Sequence, residues 1–465
     1  MIPVNDAFTG EKLAGILHAI TYEAIPSDVT EKTKLFMLDT LGVTGAARHA
    51  PGIDELSNAL LNWDTGGPAS LLVSNAKVSP VTAAMINATA AHSLDFDDQH
   101  DPARVHTYCV ILPAVLAASE AKGRVSGKTF LTAVITGVEL FCRMGLTCFN
   151  SLSRGWHPTT MLGSICAAAA VAKIFELDAQ QTLNAMGLAY VQTSGTTQFI
   201  ADGVLAKRAG PGFAARNGLI AAKLAMHGMT GPGRYLEGEA GLFALYEQGE
   251  VQAGFLFSEW LSTWHIRDLS MKPWPCCRCN HTVIQLALEL ADKGVDPYQV
   301  ESGVIELSRV NHGIVGRRFD SAHPNPTVHA QFNAVYNFVS ALTERSVTVA
   351  SFNADRVRNS NLELTGIIDC RISPDYEDAA VSPAKVTLRL KNGAVIQVQD
   401  NAMKGAPENP LSTREVLAKF RDNMRHGWDV PEARLKILEN VLMSFELLDS
   451  VSLFSSLYSS IISEA

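Results

Sequence analysis

The chain has 465 residues, 47% of them hydrophobic, and a formal net charge of −9. That length suggests two or three domains, and that apolar share supplies a sizeable core and excludes a disordered chain. An acidic balance without any Lys/Arg block argues against nucleic acid as a partner, and leaves a local cationic pocket as the route to a small anion.

MIPVNDAFTGEK has no basic region ahead of an apolar stretch, so neither a secretory signal nor a transit peptide is expected. Apolar runs such as Ile165 to Ala172 are too short to span a bilayer, and no membrane partner is expected. Eight cysteines do not make a disulfide framework in a chain of this size. The expected compartment is a reducing cytoplasm.

The first predicted element is a helix over VTEKTKLFMLDTLGV, with Ser27-Asp28 ahead of it as a cap. A short strand pair follows in ASLLVS and Lys77-Val78. Ser79-Pro80 reads as an N-cap with Pro at the first helical position, opening VTAAMINATAAHSL. Next come VILPAVLAASEA, FLTAVITGVELFCRM and TTMLGSICAAAAVAKIF, apolar on most faces and so expected at the centre of a helical domain. QQTLNAMGLAYVQTSG and a helix beginning near Phe213 extend it to about residue 265. Beyond that, GVIELSRV, PAKVTLRL and AVIQVQD are rich in β-branched residues. Asn392-Gly393 between the last two is a strong hairpin signal. QFNAVYNFVSALT reads as a helix among them. After Pro410 the chain turns helical again, with a capping box in Ser412-Thr413-Arg414-Glu415 and helical spacing in ARLKILENVLMSFELL. The fold class is mainly α. A large all-helical domain (1–269) is followed by a smaller α+β lid domain (270–403) and a helical segment (404–465) returning to the large domain.

Four stretches carry chemistry. In HSLDFDDQHDPARVH, Asp95, Asp97 and Asp98 stand among His92, His100 and His106. Carboxylates beside imidazoles suit acid–base work once burial shifts their pKa values. Taken by itself, the stretch reads first as a solvated loop whose Asp residues cap the next helix. Metal ligation is a third reading, but the spacing matches no zinc or calcium pattern. In SRGWHPTTMLG, His157 sits at a helix start, where the helix dipole favours a neutral imidazole. A packed, hydrogen-bonded His is the plainer alternative. In LAKRAGPGFAARNG, Lys207 and Arg208 stand ahead of a helix and suit a carboxylate or phosphate. No preceding strand supports a dinucleotide loop there. In MKPWPCCRCNHTV, Cys276 and Cys279 form a CxxC that lacks a second ligand pair for zinc. Lys272 and Arg278 make an anion-gripping turn a better functional reading than redox chemistry, against a plain linker with buried thiols.

Together and in this order, these stretches resemble the MmgE/PrpD family, which includes 2-methylcitrate dehydratases, cis-aconitate decarboxylases and iminodisuccinate epimerases. HSLDFDD is similar to the family's H-x-x-D-F-D-D block, RGWHPTTMLG to G-x-H-x-T, KRAGPGFAARNG to K-x-x-H-x-G-x-A-A, and KPWPCCRCNH to K-x-x-P-C-C-x-x-x-H. The resemblance covers nearly the whole chain. It implies a helical domain with an α+β lid, a homodimer, a site in the cleft between the domains, and no metal or organic cofactor. Its catalytic positions map onto Asp95, His106, His157, Lys207 and Lys272. Gln99, Arg208, Cys277, Arg278 and His281 are expected at the substrate.

Three positions depart from the family's habit. Gln99 replaces a Thr, Gly210 replaces a His, and Cys277 stands where decarboxylase-type members carry a His. The implied substrate is a small di- or tricarboxylate. The shared chemistry removes a proton from carbon beside a carboxylate and holds the resulting charge with fixed cations. The leading expectation is a cofactor-independent lyase dehydrating a 2-methylcitrate-like hydroxy polycarboxylate. The alternatives are epimerisation of an iminodisuccinate-like dicarboxylate, cis-aconitate-type decarboxylation, and non-catalytic carboxylate binding.

Overall fold

The computed structural model describes residues 9–463 apart from Gly203 and Asn361. The protein is mainly helical, at 58% helix with few strands. The chain divides into two compact units. The larger holds the chain up to Ser93, residues 97–270 and the segment from Ser412 onward; the smaller holds Leu94–Phe96 and Met271–Leu411.

Local signals start several helices of the large unit. α1 spans Ser27–Ala46, so the expected cap residues Ser27 and Asp28 lie inside its first turn, after Pro26 and with no side-chain cap hydrogen bond. The two-residue strands β1 (Ala69–Ser70) and β2 (Lys77–Val78) pair antiparallel. Ser79 then caps α2, Pro80–His92, by accepting the Thr82 N–H. α3 covers Tyr108–Lys122 and α4 Gly127–Thr147, the latter capped by Ser126. α5 is Pro158–Ile174, with His157 at its N-cap, and α6 is Ala179–Tyr190, opened by an Asp178/Gln181 capping box. α4 is long and apolar enough by composition to cross a membrane, contrary to the reading that every apolar run is too short. It lies buried in the large unit, and its Glu139–Arg143 pair (2.7 Å) is buried with it.

α7 runs Ala206–Met226, so it begins seven residues before the expected start near Phe213. Gly210, Pro211 and Gly212 look like breakers in sequence, yet they sit inside the first turns. Tertiary packing overrides their propensity here. α7 packs along α5 and α2. The contact needs bare backbone: a Cβ at Gly218 would lie 2.5 Å from the Ala167 Cβ and 2.6 Å from the Ala168 nitrogen. The C-terminal helices α10 (Thr413–Gly427) and α11 (Glu432–Met443) pack on α1. The Ser412/Glu415 capping box forms as expected. Lys419 meets Asp39 of α1 at 2.7 Å, both buried.

In the large unit β3 (Gln99–His100) pairs antiparallel with β4 (Leu269–Ser270). The small unit is built on a four-stranded mixed sheet in the order β6 (Ile368–Ile372), β5 (Val300–Leu307), β7 (Ala384–Leu390), β8 (Val395–Asp400). β5 (Val300–Leu307) pairs antiparallel with β7 (Ala384–Leu390), which pairs with β8 (Val395–Asp400). The β7–β8 turn uses Asn392-Gly393, with Gly393 at φ +84°. β6 (Ile368–Ile372) was not foreseen. It is an edge strand with mostly exposed side chains, so it carries no clean alternation. α8 (His281–Asp292) and α9 (Ala334–Glu344) pack on each other, and Val283, Leu286, Phe338 and Leu342 join Ile305, Val386 and Leu388 in one apolar core. α9 starts later than QFNAVYNFVSALT suggests, because Asn333 caps it by accepting the Tyr336 N–H.

Candidate functional site

In the large unit the chain leaves α2 at His92 and re-enters at Asp97. His92 Nδ1 donates to Asp97 Oδ2 at 2.8 Å. His106 Nδ1 donates to the Asp98 carbonyl at 2.7 Å and lies 3.4 Å from the same Asp97 oxygen. One carboxylate therefore faces two imidazoles, whose ring centroids are 4.8 Å apart. Because the His106 Nδ1 proton is committed, the lone pair of the neutral ring is on Nε2. The His106 side chain keeps 12% of its surface, while His92 and Asp97 keep none. His92 Nε2 has no hydrogen-bond partner among the described residues.

Burial pushes the His92 imidazole down to about 4 against the pull of Asp97. For Asp97, burial alone would raise the carboxyl, but the two imidazoles outweigh it and hold it well below the usual range. Asp98 does different work. It accepts the Thr107 N–H (2.8 Å), the Thr107 hydroxyl (2.7 Å) and the Tyr108 N–H (3.0 Å), so it caps α3. Burial and the neighbouring Asp97 push it up to about 6, with the Thr107 donors opposing.

α5 supplies the next residues. Thr159 accepts the His106 backbone N–H at 3.1 Å, which ties the His106 loop to the helix start. His157 Nδ1 pairs with the Thr160 hydroxyl at 2.8 Å, and its ring meets Phe199 edge-on. Burial drives His157 well below its usual value, with the Lys207 charge adding to it, so it is neutral. Lys207 occupies the second position of α7 and is half-buried. Arg208 is buried and donates to the Pro51 carbonyl at 2.5 Å. Gly210 explains one departure from the family's habit. A Cβ there would run into the Thr160 hydroxyl oxygen and lie 3.8 Å from His157 Nδ1. Gly210 thus makes room for the Thr160 contact on His157. Gln99, half-buried, pairs with Ser270 in a two-residue ladder.

The small unit gathers the other set. Asp95 has φ +52°, the left-handed region that Asp tolerates better than most residues. Lys272 is buried; its ammonium donates to the Asp95 carbonyl (2.9 Å) and lies 3.2 Å from the Asp95 carboxylate. Gln331 braces this loop by donating to the Leu94 carbonyl (2.9 Å) and the Pro275 carbonyl (3.0 Å). Its own carbonyl accepts the Cys277 N–H (3.0 Å) and the Asn280 amide (2.9 Å). Cys277 opens the short turn Arg278–Asn280 and is half-buried. Arg278 donates to the Lys404 carbonyl at 3.2 Å. His281 is fully buried, with Nε2 on the Cys276 carbonyl (3.3 Å) and Nδ1 3.5 Å from Arg278. Both of its nitrogens face partners inside the unit, and burial drives it well below its usual value.

Four residues were not expected at the site. His92 and Asp97 form the buried pair behind His106, Thr160 orients His157, and Gln331 holds the Asp95 loop. The one sequence signal for the first pair was the spacing from the last helical His to the middle Asp.

Among the described residues, two groups bring three possible metal-ligand atoms within 4.8 Å of one another: His92, Asp97 and His106, and His100, His265 and Asp268. In the first, both Nδ1 atoms already point protons at oxygen acceptors, which is a hydrogen-bonded arrangement. In the second, His100 Nδ1 accepts the Ala103 N–H at 3.1 Å. That leaves the ring proton on Nε2, the nitrogen a metal would need bare.

Comparison with known proteins places the chain in one family. The MmgE/PrpD N-terminal domain matches residues 11–253 and the MmgE/PrpD C-terminal domain residues 274–443. The cis-aconitate decarboxylase of Aspergillus terreus is 26% identical over 459 residues, covering 92% of this chain and 91% of that protein. A cis-aconitate decarboxylase-like protein of Aspergillus oryzae is 26% identical over 450 residues, with 92% of each chain covered. The cis-aconitate decarboxylase of Homo sapiens is 26% identical over 456 residues, covering 93% and 91%. With its N-terminal and C-terminal parts both matched, the chain belongs to the MmgE/PrpD family.

Proposed function

We propose that the protein is a lyase acting on a small di- or tricarboxylate, with His106 moving the proton on carbon. The observation that carries this reading is the His106 ring: Nδ1 is committed to the Asp98 carbonyl beside the Asp97 carboxylate, and the lone pair on Nε2 is free of that bond. A proton taken at Nε2 makes an imidazolium, and an ionised Asp97 stabilises it where it forms. Neutral His157, oriented by Thr160, serves the leaving group or the opposite face of the carbon. Lys207 and Lys272 hold carboxylates, the second with its charge matched by Asp95.

Within that reaction class, dehydration is the leading reading. Loss of water needs a base on carbon and an acid on the leaving hydroxyl, and an imidazole with a bare Nε2 suits the first task. Decarboxylation instead needs an acid that delivers a proton to carbon. It is favoured by the names of the relatives, and countered by Cys277 and Gly210 at positions where the family resemblance leads one to expect His. An acidic, cytoplasmic homodimer without cofactor completes the proposal. The test is a polycarboxylate panel, including 2-methylcitrate, citrate, cis-aconitate and iminodisuccinate, followed by proton NMR and CO2 release. New alkene signals without CO2 support dehydration, and CO2 supports decarboxylation. Inversion with solvent exchange and no alkene would shift the assignment to an epimerase, and silence across the panel would leave a non-catalytic carboxylate binder.

A further inference from the structure

The thiols of this protein are not alike. Burial pushes Cys109, Cys142, Cys148, Cys166 and Cys276 well above the usual thiol value, and Cys370 up to about 12. Such thiols are poor nucleophiles. Cys277 goes the other way. Hydrogen bonding from Cys279 outweighs burial and the nearby Asp95 carboxylate, with Lys272 aiding it. Cys277 is also half-buried, whereas Cys276 and Cys279 are buried.

The backbone fixes the pair. Cys277 opens the turn Arg278–Asn280, the Asn280 N–H closes on the Cys277 carbonyl at 2.9 Å, and the Cys277 N–H is anchored on Gln331. Residues two apart in so tight a turn fall within the roughly 4.4–6.8 Å Cα span that a disulfide uses.

We propose that Cys277 is a peroxide-reactive thiol and that Cys279 is its resolving partner. In the first step the Cys277 thiolate attacks the terminal oxygen of a hydroperoxide, the O–O bond breaks, and alkoxide or hydroxide leaves. Sulfur is oxidised to a sulfenic acid and the peroxide is reduced. In the second step the Cys279 sulfur displaces the sulfenic hydroxyl, forming the S–S bond and releasing water. The closed ring stiffens the turn that carries Arg278. Any accompanying loss of lyase activity rests on the function proposed above; the disulfide itself does not.

The sequence supplies a clean readout. Trypsin cuts after Arg278, between the two sulfurs, while a bond between Cys276 and Cys277 would stay within one peptide. After brief treatment of the full chain with hydrogen peroxide, mass spectrometry should find DLSMKPWPCCR joined to CNHTVIQLALELADK, released by dithiothreitol. Cys277→Ser should abolish the link. Cys279→Ser should instead accumulate a Cys277 sulfenic acid that dimedone traps. A link that persists in Cys277→Ser, a Cys277 that stays reduced, or equal oxidation of Cys109 and Cys142 would each overturn the proposal.

Discussion

Among the described residues the large unit holds two clusters of the same composition, His92–Asp97–His106 and His100–His265–Asp268, the second joining a residue of the same loop to a distant stretch of chain. Their differences are burial and the placing of protons. Asp97 is fully buried and accepts from His92 while facing His106, so its charge is spent on the imidazoles. The Asp268 side chain is 55% exposed, and its 3.2 Å contact with His265 lies at the surface. His106 presents a bare Nε2; His100 presents a protonated one, because Ala103 occupies its Nδ1. Identical residue types thus give one arrangement suited to moving a proton and one suited to bracing a turn. Ring orientation and the dielectric around the carboxylate decide between them.

The largest expected effect separates the two clusters at their histidines. His106→Gln removes the proton acceptor and should lower kcat by about 10²–10⁴-fold. His265→Gln should leave kcat within about twofold, since its ring meets Phe255, His100 and a largely exposed Asp268 carboxylate, none of them placed at the reacting carbon. Steady-state rates on the substrate identified by the panel check both, with circular dichroism to confirm folding.

The second effect is shared, and it arises from burial. His92 and His100 are both held neutral, each pushed down to about 4 by burial. A folded pKa below the unfolded one means the unfolded chain binds more protons between about 6.5 and 4. Stability is therefore full above 6.5 and lost as pH falls toward 4, by about 2 kcal/mol for each residue at pH 5. Asp98 opposes this trend. Its carboxyl is raised to about 6, so its stabilising contribution is full below the unfolded carboxyl value and lost as pH rises through 6. With His157 and His281 also held neutral by burial, the imidazoles outweigh Asp98 and should give a net loss of stability from pH 7 to pH 5, read as a falling denaturation midpoint. His100→Asn should shrink that loss without touching turnover.

A smaller effect tests the support of His157. Gly210→Ala places a methyl against Thr160 and should cost about 1–3 kcal/mol by overpacking, with an accompanying loss of turnover as Thr160 shifts off His157. Adding Thr160→Ala should restore the melting temperature and leave the turnover defect. Recovery of both would mean that Thr160 does not position His157.

Much of the fold was legible because its signals are local. Ser79-Pro80, Ser412/Glu415 and Asn392-Gly393 act through their own backbone groups, and each cap or turn forms where its residues stand. α7 was misplaced because Gly210, Pro211 and Gly212 resemble breakers until the helices packed against them are known. In the site, the four motif stretches pointed to His106, His157, Lys207 and Lys272. A role in capping or bracing the turn, the plain reading of both Asp97 and Asp98, fits Asp98 alone, since Asp97 faces the imidazoles. The role of Asp97 depends on the chain leaving after Ser93 and returning two residues beyond Asp95. No period or cap signal encodes that path. Cys277 marked a departure in sequence, but the reactivity proposed for it depends on Cys279 two residues on, visible only once the turn is formed.

The most direct test of the account exchanges the carboxylates: kcat of Asp97→Asn and of Asp268→Asn, measured side by side on the same substrate with melting temperatures for both. The account expects a folded Asp97→Asn that is slower by about 100-fold or more, and an Asp268→Asn close to the parent. A folded Asp97→Asn that turns over at the parent rate would contradict it.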